Sequence, residues 1–231
     1  MSEKLKNIQL KEEFDKMSDK ELSDYKFLSG FIYNKVGIYL HFINCEIKNP
    51  EKMTCWGGLD CKQYPDELAK LLVFLYKNKN DINSYCDIGS HKGGTFYVID
   101  SFLRSINPNM GNSLAIDLRR TILKYGFKEY KNKYPKVDFL SINSREFIPP
   151  QKYDFCFIDG DHTYNGVKCD YENMRKYCKI IGLHDIKLTL RQYNGAKKLW
   201  EEIKDCKKIE FLNEDKNFSL PVGIGVITNN G

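Results

Sequence analysis

Apolar residues change their spacing several times along the chain, and each change predicts an element. Leu68, Leu71, Leu72 and Leu75 recur at i, i+3, i+4 and i+7, the stripe of an amphipathic helix. Pro65 suits the first turn of that helix, where its missing N–H is not needed. Asp66 and Glu67 favour the same end through the helix dipole. From residue 82 short apolar runs alternate with longer helical patterns. INSYCDI (82–88), SLAID (113–117), VDFLS (137–141), YDFCFID (153–159) and KIIGLHD (179–185) read as strands. Residues near 93–106, 119–131, 163–178 and 194–204 read as helices. This alternation predicts an α/β fold, a mostly parallel sheet with helices on both faces. The closing segments KKIEFLN and VGIGVIT predict an antiparallel hairpin on the sheet edge.

The first fifty residues differ, with lysine-rich helical patterning and aromatics at Tyr25, Phe27, Phe31, Tyr33, Tyr39 and Phe42. A surface packed on the main domain explains that cluster more simply than a ligand box. The division expected is a helical cap or extension over 1–55, followed by one domain over 56–231. Residues 1–50 suit either a cap over a site or a homodimer contact, and their pattern does not choose between them.

Composition narrows the classes. With 42% hydrophobic and 29% charged residues, the 231-residue chain reads as globular and long enough for a real core. No apolar run approaches the ~18 residues of a membrane span, so no membrane partner is expected. The start, MSEKLKNIQLKEEFDK, lacks a secretory apolar region, which points to a cytoplasmic location. The net charge of +5 is interleaved with acids and is weak ground for a nucleic-acid partner. The eight cysteines, Cys45, Cys55, Cys61, Cys86, Cys156, Cys169, Cys178 and Cys206, include no C-x-x-C pair and read as reduced and structural. Cys55 with Cys61, as a pair or on a metal, is the minor alternative.

In parallel sheets ligands bind beyond the carboxyl ends of the strands, so the strand tips carry the chemistry. The first tip, Asp87-Ile88-Gly89-Ser90-His91-Lys92-Gly93-Gly94, is a glycine loop that lets backbone approach a ligand. It matches neither the phosphate-cradling G-x-x-x-x-G-K-[ST] nor the G-x-G-x-x-G of nicotinamide enzymes. Asp117 ends the second strand 23 positions after Gly94, about where an acid receives a ribose diol. At the third tip, Asn143 and Ser144 suit either the edge of an adenine ring or a helix N-cap. The fourth tip carries Asp159, Asp161 and His162, and the fifth His184 and Asp185. Acids and imidazoles at neighbouring sheet ends cost desolvation unless they are paired or used, which marks these five as catalytic candidates.

FIDGDHTYNGVKCD, with GLHDI and GAKKLWEEIK downstream, resembles the class I methyltransferases of the Methyltransferase-24 type, which are related to the macrocin and catechol O-methyltransferase groups. The likeness covers roughly residues 56–228. It implies a Rossmann-like methyltransferase sheet with an antiparallel C-terminal strand, and S-adenosyl-L-methionine as cofactor. Asp87, Gly89, Ser90 and Gly93 would approach the methionine end, Asp117 and Leu118 the ribose, and Asn143 and Ser144 the adenine, with Asp159 bordering the cofactor as well. In metal-using relatives, acids at the positions of Asp159 and Asp185 hold a divalent ion such as Mg²⁺. Two departures stand out: Ile186 follows Asp185 where the catechol type has asparagine, and the glycine pair before the fifth strand is missing. Without a metal, His162 or His184 becomes the general base. The expected reaction is in-line methyl transfer to a hydroxyl of a small molecule or glycan, served by Asp159, Asp161, His162, His184 and Asp185. RNA is the alternative acceptor, suggested by Arg119, Arg120, Lys124 and Lys128, and a non-catalytic scaffold on the same fold is the third reading.

Overall fold

The computed structural model describes residues 5–38, 58–190, 193–204, 206–216 and 220–228. Its frame is one seven-stranded sheet built from β1 (Tyr85–Ile88), β2 (Ser113–Asp117), β3 (Val137–Ser141), β4 (Tyr153–Ile158), β5 (Cys178–His184), β6 (Lys207–Phe211) and β7 (Ile224–Thr228). The strand order is β3-β2-β1-β4-β5-β7-β6. β1 to β5 are parallel, and β7 runs antiparallel between β5 and β6. The expected closing hairpin is therefore present at the edge. Strand order reverses between β1 and β4, and a crevice opens at such a reversal.

The five parallel strands alternate with α5 (Gly94–Ile106), α6 (Phe127–Lys133) and α7 (Tyr164–Met174), and α8 (Gly195–Glu202) follows β5. Both faces of the central strands are covered, so β1 is buried at every position. Its side chains still alternate. On one face Tyr85 stacks against Phe96 of α5 and Phe155 of β4, with centroids 5.6 and 5.5 Å away. On the other, Cys86, Cys156 and Cys178 pack with Val167 of α7 and Trp200 of α8. Cys61, Cys86, Cys156, Cys169, Cys178 and Cys206 are free thiols. Cys45 and Cys55, and with them the Cys55–Cys61 pairing, lie outside the described residues.

The helix expected from the leucine stripe is α4 (Pro65–Lys77), and Leu68, Leu71, Leu72 and Leu75 are all fully buried. Ahead of it stand α1 (Leu10–Asp15), α2 (Asp19–Leu22) and α3 (Tyr25–Phe31). Leu10, Phe14, Leu28 and Ile32 share one core with α4 and α5. Phe14 meets Phe102 of α5 edge-on at 5.1 Å and Phe31 at 5.3 Å. Of the N-terminal aromatics, Tyr25, Phe31 and Tyr33 are partly buried against this core and Phe27 is exposed. Tyr39 and Phe42 lie outside the described residues.

Three helices depart from expectation. The span 119–131 is broken into a 3₁₀ turn (Thr121–Lys124) and α6, because Gly126 between them sits at φ 78°, a left-handed conformation that ends helical propagation. The side chain of Asn7 donates to its carbonyl at 3.0 Å, which ties the break to the N-terminal segment. The span 163–178 stops at Met174, where a turn from Tyr177 N–H to the Met174 carbonyl releases Cys178 into β5. The span 194–204 ends at Glu202, since Ile203 is extended. Among the described residues no helix is long and apolar enough to cross a membrane.

Because Phe14 is part of the shared core, Phe14→Ala should cost the whole domain about 3–5 kcal/mol in a single denaturation transition. An unchanged midpoint for the main transition, measured by urea denaturation, would mean instead that α1–α3 fold as an independent appendage.

Candidate active site

Beyond the carboxyl ends of β1 to β5 lies a cavity of about 730 Å³. Gly89, Asp117, Leu118, Asn143, Ser144 and Asp159 of the expected cofactor set line it, as do all five catalytic candidates, Asp159, Asp161, His162, His184 and Asp185. Asp87 and Ser90 instead line a recess of about 20 Å³ that shares Gly89, Lys62 and Asp159 with the main cavity. Gly93 lines neither. It starts α5 at φ 89°, and a Cβ there would lie 2.6 Å from the Tyr97 ring.

The glycine loop is shaped by one close approach. Gly89 has φ 92°, and a Cβ on it would stand 2.3 Å from the Asp159 carbonyl oxygen. Only glycine lets the β1 and β4 ends come this near. The loop then reaches β2, with Gly89 N–H donating to the Ile116 carbonyl at 2.8 Å. His91, at φ 47°, donates its N–H to one Asp117 oxygen at 2.9 Å, and Arg119 N–H donates to the other at 2.7 Å. Asp117 is thus aimed by backbone on both sides while each oxygen keeps a further acceptor site. Asn143 acts as an N-cap, its side-chain oxygen accepting from Arg145 N–H at 3.2 Å ahead of the 3₁₀ turn Ser144–Glu146, and it also lines the cavity.

The acids and histidines of β4 and β5 form one cluster. His184 Nδ1 lies 3.1 Å from Asp159 Oδ1 and 3.3 Å from Asp185 Oδ1, and its Nε2 lies 3.1 Å from Glu67. His162 Nδ1 lies 2.8 Å from Asp185 Oδ2. Asp185 is buried at φ 62°, a left-handed conformation rare for a residue with a Cβ, and such strain gathers at functional sites. Its Oδ1 accepts no hydrogen bond. Asp161 is engaged differently: it accepts from Thr163 N–H at 2.9 Å and pairs with Arg145 at 2.6 Å, tying the start of α7 to the third tip.

Three residues at the approach to α4 and in its first turn complete the site and were absent from the expected set. Gln63 is fully buried; it donates to Asp159 Oδ2 at 2.7 Å and accepts from the Thr95 hydroxyl. Glu67 is fully buried beneath His184. Lys62 lines both cavities. Glu67 was detectable, because it shares the helical stripe of Leu71 and Leu75 that is otherwise apolar. Gln63 and Lys62 precede the helix and carry no periodic signal.

The family description of a methyltransferase domain, Methyltransferase-24, matches residues 86–186. Among solved structures, an O-methyltransferase from Bacillus cereus, in complex with S-adenosylhomocysteine, resembles this chain with a TM-score of 0.54, at 13% identity and over 93% of each chain. A protein from Pyrococcus horikoshii, provisionally assigned as an RNA methyltransferase, gives 0.53 at 10% identity, over 89% of this chain and 98% of its own. A protein from Staphylococcus aureus, provisionally assigned as a caffeoyl-CoA O-methyltransferase, gives 0.51 at 13% identity, over 69% and 82%. At such identities the likeness is one of fold. No curated protein matches the sequence.

Burial and pairing set the charges of this site. Burial works against charge on His184 and His162, yet the neighbouring carboxylates win and hold both rings above the usual histidine range, His184 well above it. Asp159 is pushed up by burial but held below the carboxylate range by His184, His162 and Gln63. Asp87 has no such cation. Burial pushes its carboxyl up to about 8, opposed only in part by the Tyr85 hydroxyl donating at 2.8 Å.

A raised acid has a definite linkage sign. Folded Asp87 keeps a proton that the unfolded chain releases near 3.8, so stability falls as pH rises from about 4 to 8 and then levels off. Asp170, pushed by burial to about 6, adds the same sign between about 4 and 6. Asp87→Asn should flatten the decline above pH 6. Thermal melts of both proteins from pH 5 to pH 9 test this, and parallel curves would mean that Asp87 is ionised in the folded state.

Proposed function

We propose that the chain transfers the methyl group of S-adenosylmethionine to a hydroxyl of a small-molecule or sugar acceptor. The observation that carries this reading is that Asp117, aimed by the glycine loop, and the acid–imidazole cluster of β4 and β5 open onto the same cavity. In this assignment the recess of Asp87, Gly89 and Ser90 takes the methionine end, Asp117 the ribose, and Asn143 and Ser144 the adenine, with Leu118 as an apolar wall. About 730 Å³ suits a cofactor together with a compact acceptor. The S-adenosylhomocysteine bound to the Bacillus cereus protein supports the choice of cofactor.

The chemistry needs little covalent help. The acceptor oxygen attacks the methyl carbon, the carbon–sulfur bond breaks with its electron pair going to sulfur, and the acceptor proton goes to a base. The protein's work is alignment and proton removal. Of the two histidines, His184 is enclosed by Asp159 and Glu67 and holds its place as a donor. His162 is the base in this reading: its Nδ1 is engaged by Asp185, which leaves Nε2 to take the proton. Asp161 serves as a loop tie.

As the alternative to His162 acting as the base, a divalent ion fits the cluster. Asp159, His162 and Asp185 can each offer one ligand atom, all within 4.8 Å of one another, and the orphaned buried Asp185 Oδ1 is the kind of atom a cation satisfies. The imidazole widens the choice from Mg²⁺ toward ions that accept a nitrogen ligand more readily, such as Mn²⁺, and the asparagine oxygen of the catechol type is replaced here by buried Ile186. When bound, such an ion would supply Lewis-acid activation of the acceptor hydroxyl.

RNA is the second reading. Arg119 and Arg145 are exposed at the cavity rim, and Arg120, Lys124 and Lys128 are exposed beyond β2. An RNA acceptor would show a steep loss of binding with added salt.

Calorimetry with S-adenosylmethionine and S-adenosylhomocysteine should give micromolar binding. Asp117→Ala should weaken it about tenfold or more, the loss of about 1.4 kcal/mol expected for charge-assisted hydrogen bonds. Against a panel of hydroxylated small molecules and sugars, with and without Mg²⁺ or Mn²⁺, Asp159→Ala and His162→Ala should each slow S-adenosylhomocysteine formation about a hundredfold. No cofactor binding under any of these conditions would remove the transferase reading, and full activity in both variants would remove the catalytic assignment.

A further inference from the structure

Glu67 occupies the third position of α4, where an acid ordinarily sits in solvent and answers the helix dipole. Here it is fully buried. Its Oε1 accepts from Tyr64 N–H at 2.9 Å and faces His184 Nε2 at 3.1 Å, and its Oε2 accepts from Gly223 N–H at 2.8 Å. One carboxylate therefore joins the start of α4, the last residue of β5 and the turn that enters β7. Capping the helix needs only the contact to Tyr64, which an exposed glutamate makes equally well. Enclosing a carboxylate costs several kcal/mol unless a cation and hydrogen bonds answer it, and His184 is the cationic partner within reach.

The consequence falls on Asp159. With Nε2 engaged by Glu67, the His184 ring turns Nδ1 toward the site, 3.1 Å from Asp159 Oδ1. Gln63, four residues before Glu67, holds the other oxygen. Both oxygens of the strand-tip acid are thus set from the approach to α4, one directly and one through the ring. We propose that Glu67 is a positioning residue of the transfer site, acting through His184 to fix the carboxylate of Asp159. This rests on the methyltransferase reading for its purpose, but the brace is measurable without turnover.

The test uses the full chain with S-adenosylhomocysteine bound. In ¹⁵N-edited spectra the wild type should show a ring Nε2–H of His184 protected from exchange, identified by its loss in His184→Asn. Glu67→Gln should shift or remove that signal and leave S-adenosylhomocysteine affinity within about twofold, since the carboxylate does not line the cavity. Turnover, read with the acceptor used fastest in the panel above, should fall about tenfold to a hundredfold in kcat with a smaller change in KM, the size typical of groups that orient a functional ligand. Adding Glu67→Gln to His184→Asn should cost nothing further. An unchanged ring signal in Glu67→Gln, equal losses of affinity and turnover, or losses that multiply in the double variant would each overturn the proposal. If Glu67→Gln does not fold, the wild-type spectrum decides, because an unprotected or absent Nε2–H excludes the brace. A wild type that binds no S-adenosylhomocysteine would sink the transferase reading and leave the spectrum to judge Glu67 alone.

Discussion

The ends of β1 and β4 meet where no side chain fits between them, and the site is arranged around that contact. Gly89 lies against the Asp159 carbonyl, so the strand that begins the glycine loop and the strand that ends in the acidic cluster are held at one fixed separation. The strand-order reversal places this contact where neighbouring connections diverge, which is why a cavity rather than a packed turn lies above it. Asp117 on one side and the imidazole cluster on the other then face a common space.

Around that contact, charge is organised by burial and enclosure rather than by surface pairing. Exposed ion pairs contribute little to stability, and this chain has many of them, such as Lys11 with Asp15. The His184 group is different in kind. Three carboxylates surround one buried ring, and the positive charge they favour is what makes their own burial tolerable. Asp87, in the adjoining recess and lacking a cation, follows the opposite course and keeps its proton.

Much of this was legible from residue order because the signals were periodic or local. Alternating apolar runs predicted all seven strands near their observed limits, and the leucine stripe predicted α4. The acids and histidines at the tips were visible because they directly follow apolar strands. Less legible was anything decided by backbone conformation or by distant partners. Nothing in the apolar spacing of 119–131 reports that Gly126 adopts a left-handed conformation. Asn143 was compatible with a cap and with a ligand contact, and only the position of Arg145 N–H showed the cap in use. Gln63 reaches Asp159 across 96 positions of sequence, a separation at which spacing carries no information.

The tie between Glu67 and Gly223 also bears on the order of assembly. Their hydrogen bond closes 156 positions of chain, and β7 must insert between β5 and β6 before Gly223 can donate. Such non-local closure is slow compared with the local pairing of β1, β2 and β3. A nascent chain synthesised only through Asp185 would hold every acid and histidine of the cluster, yet the floor beneath His184 would be incomplete. Competence of the site is therefore a late event in folding, gained when the β7 strand docks.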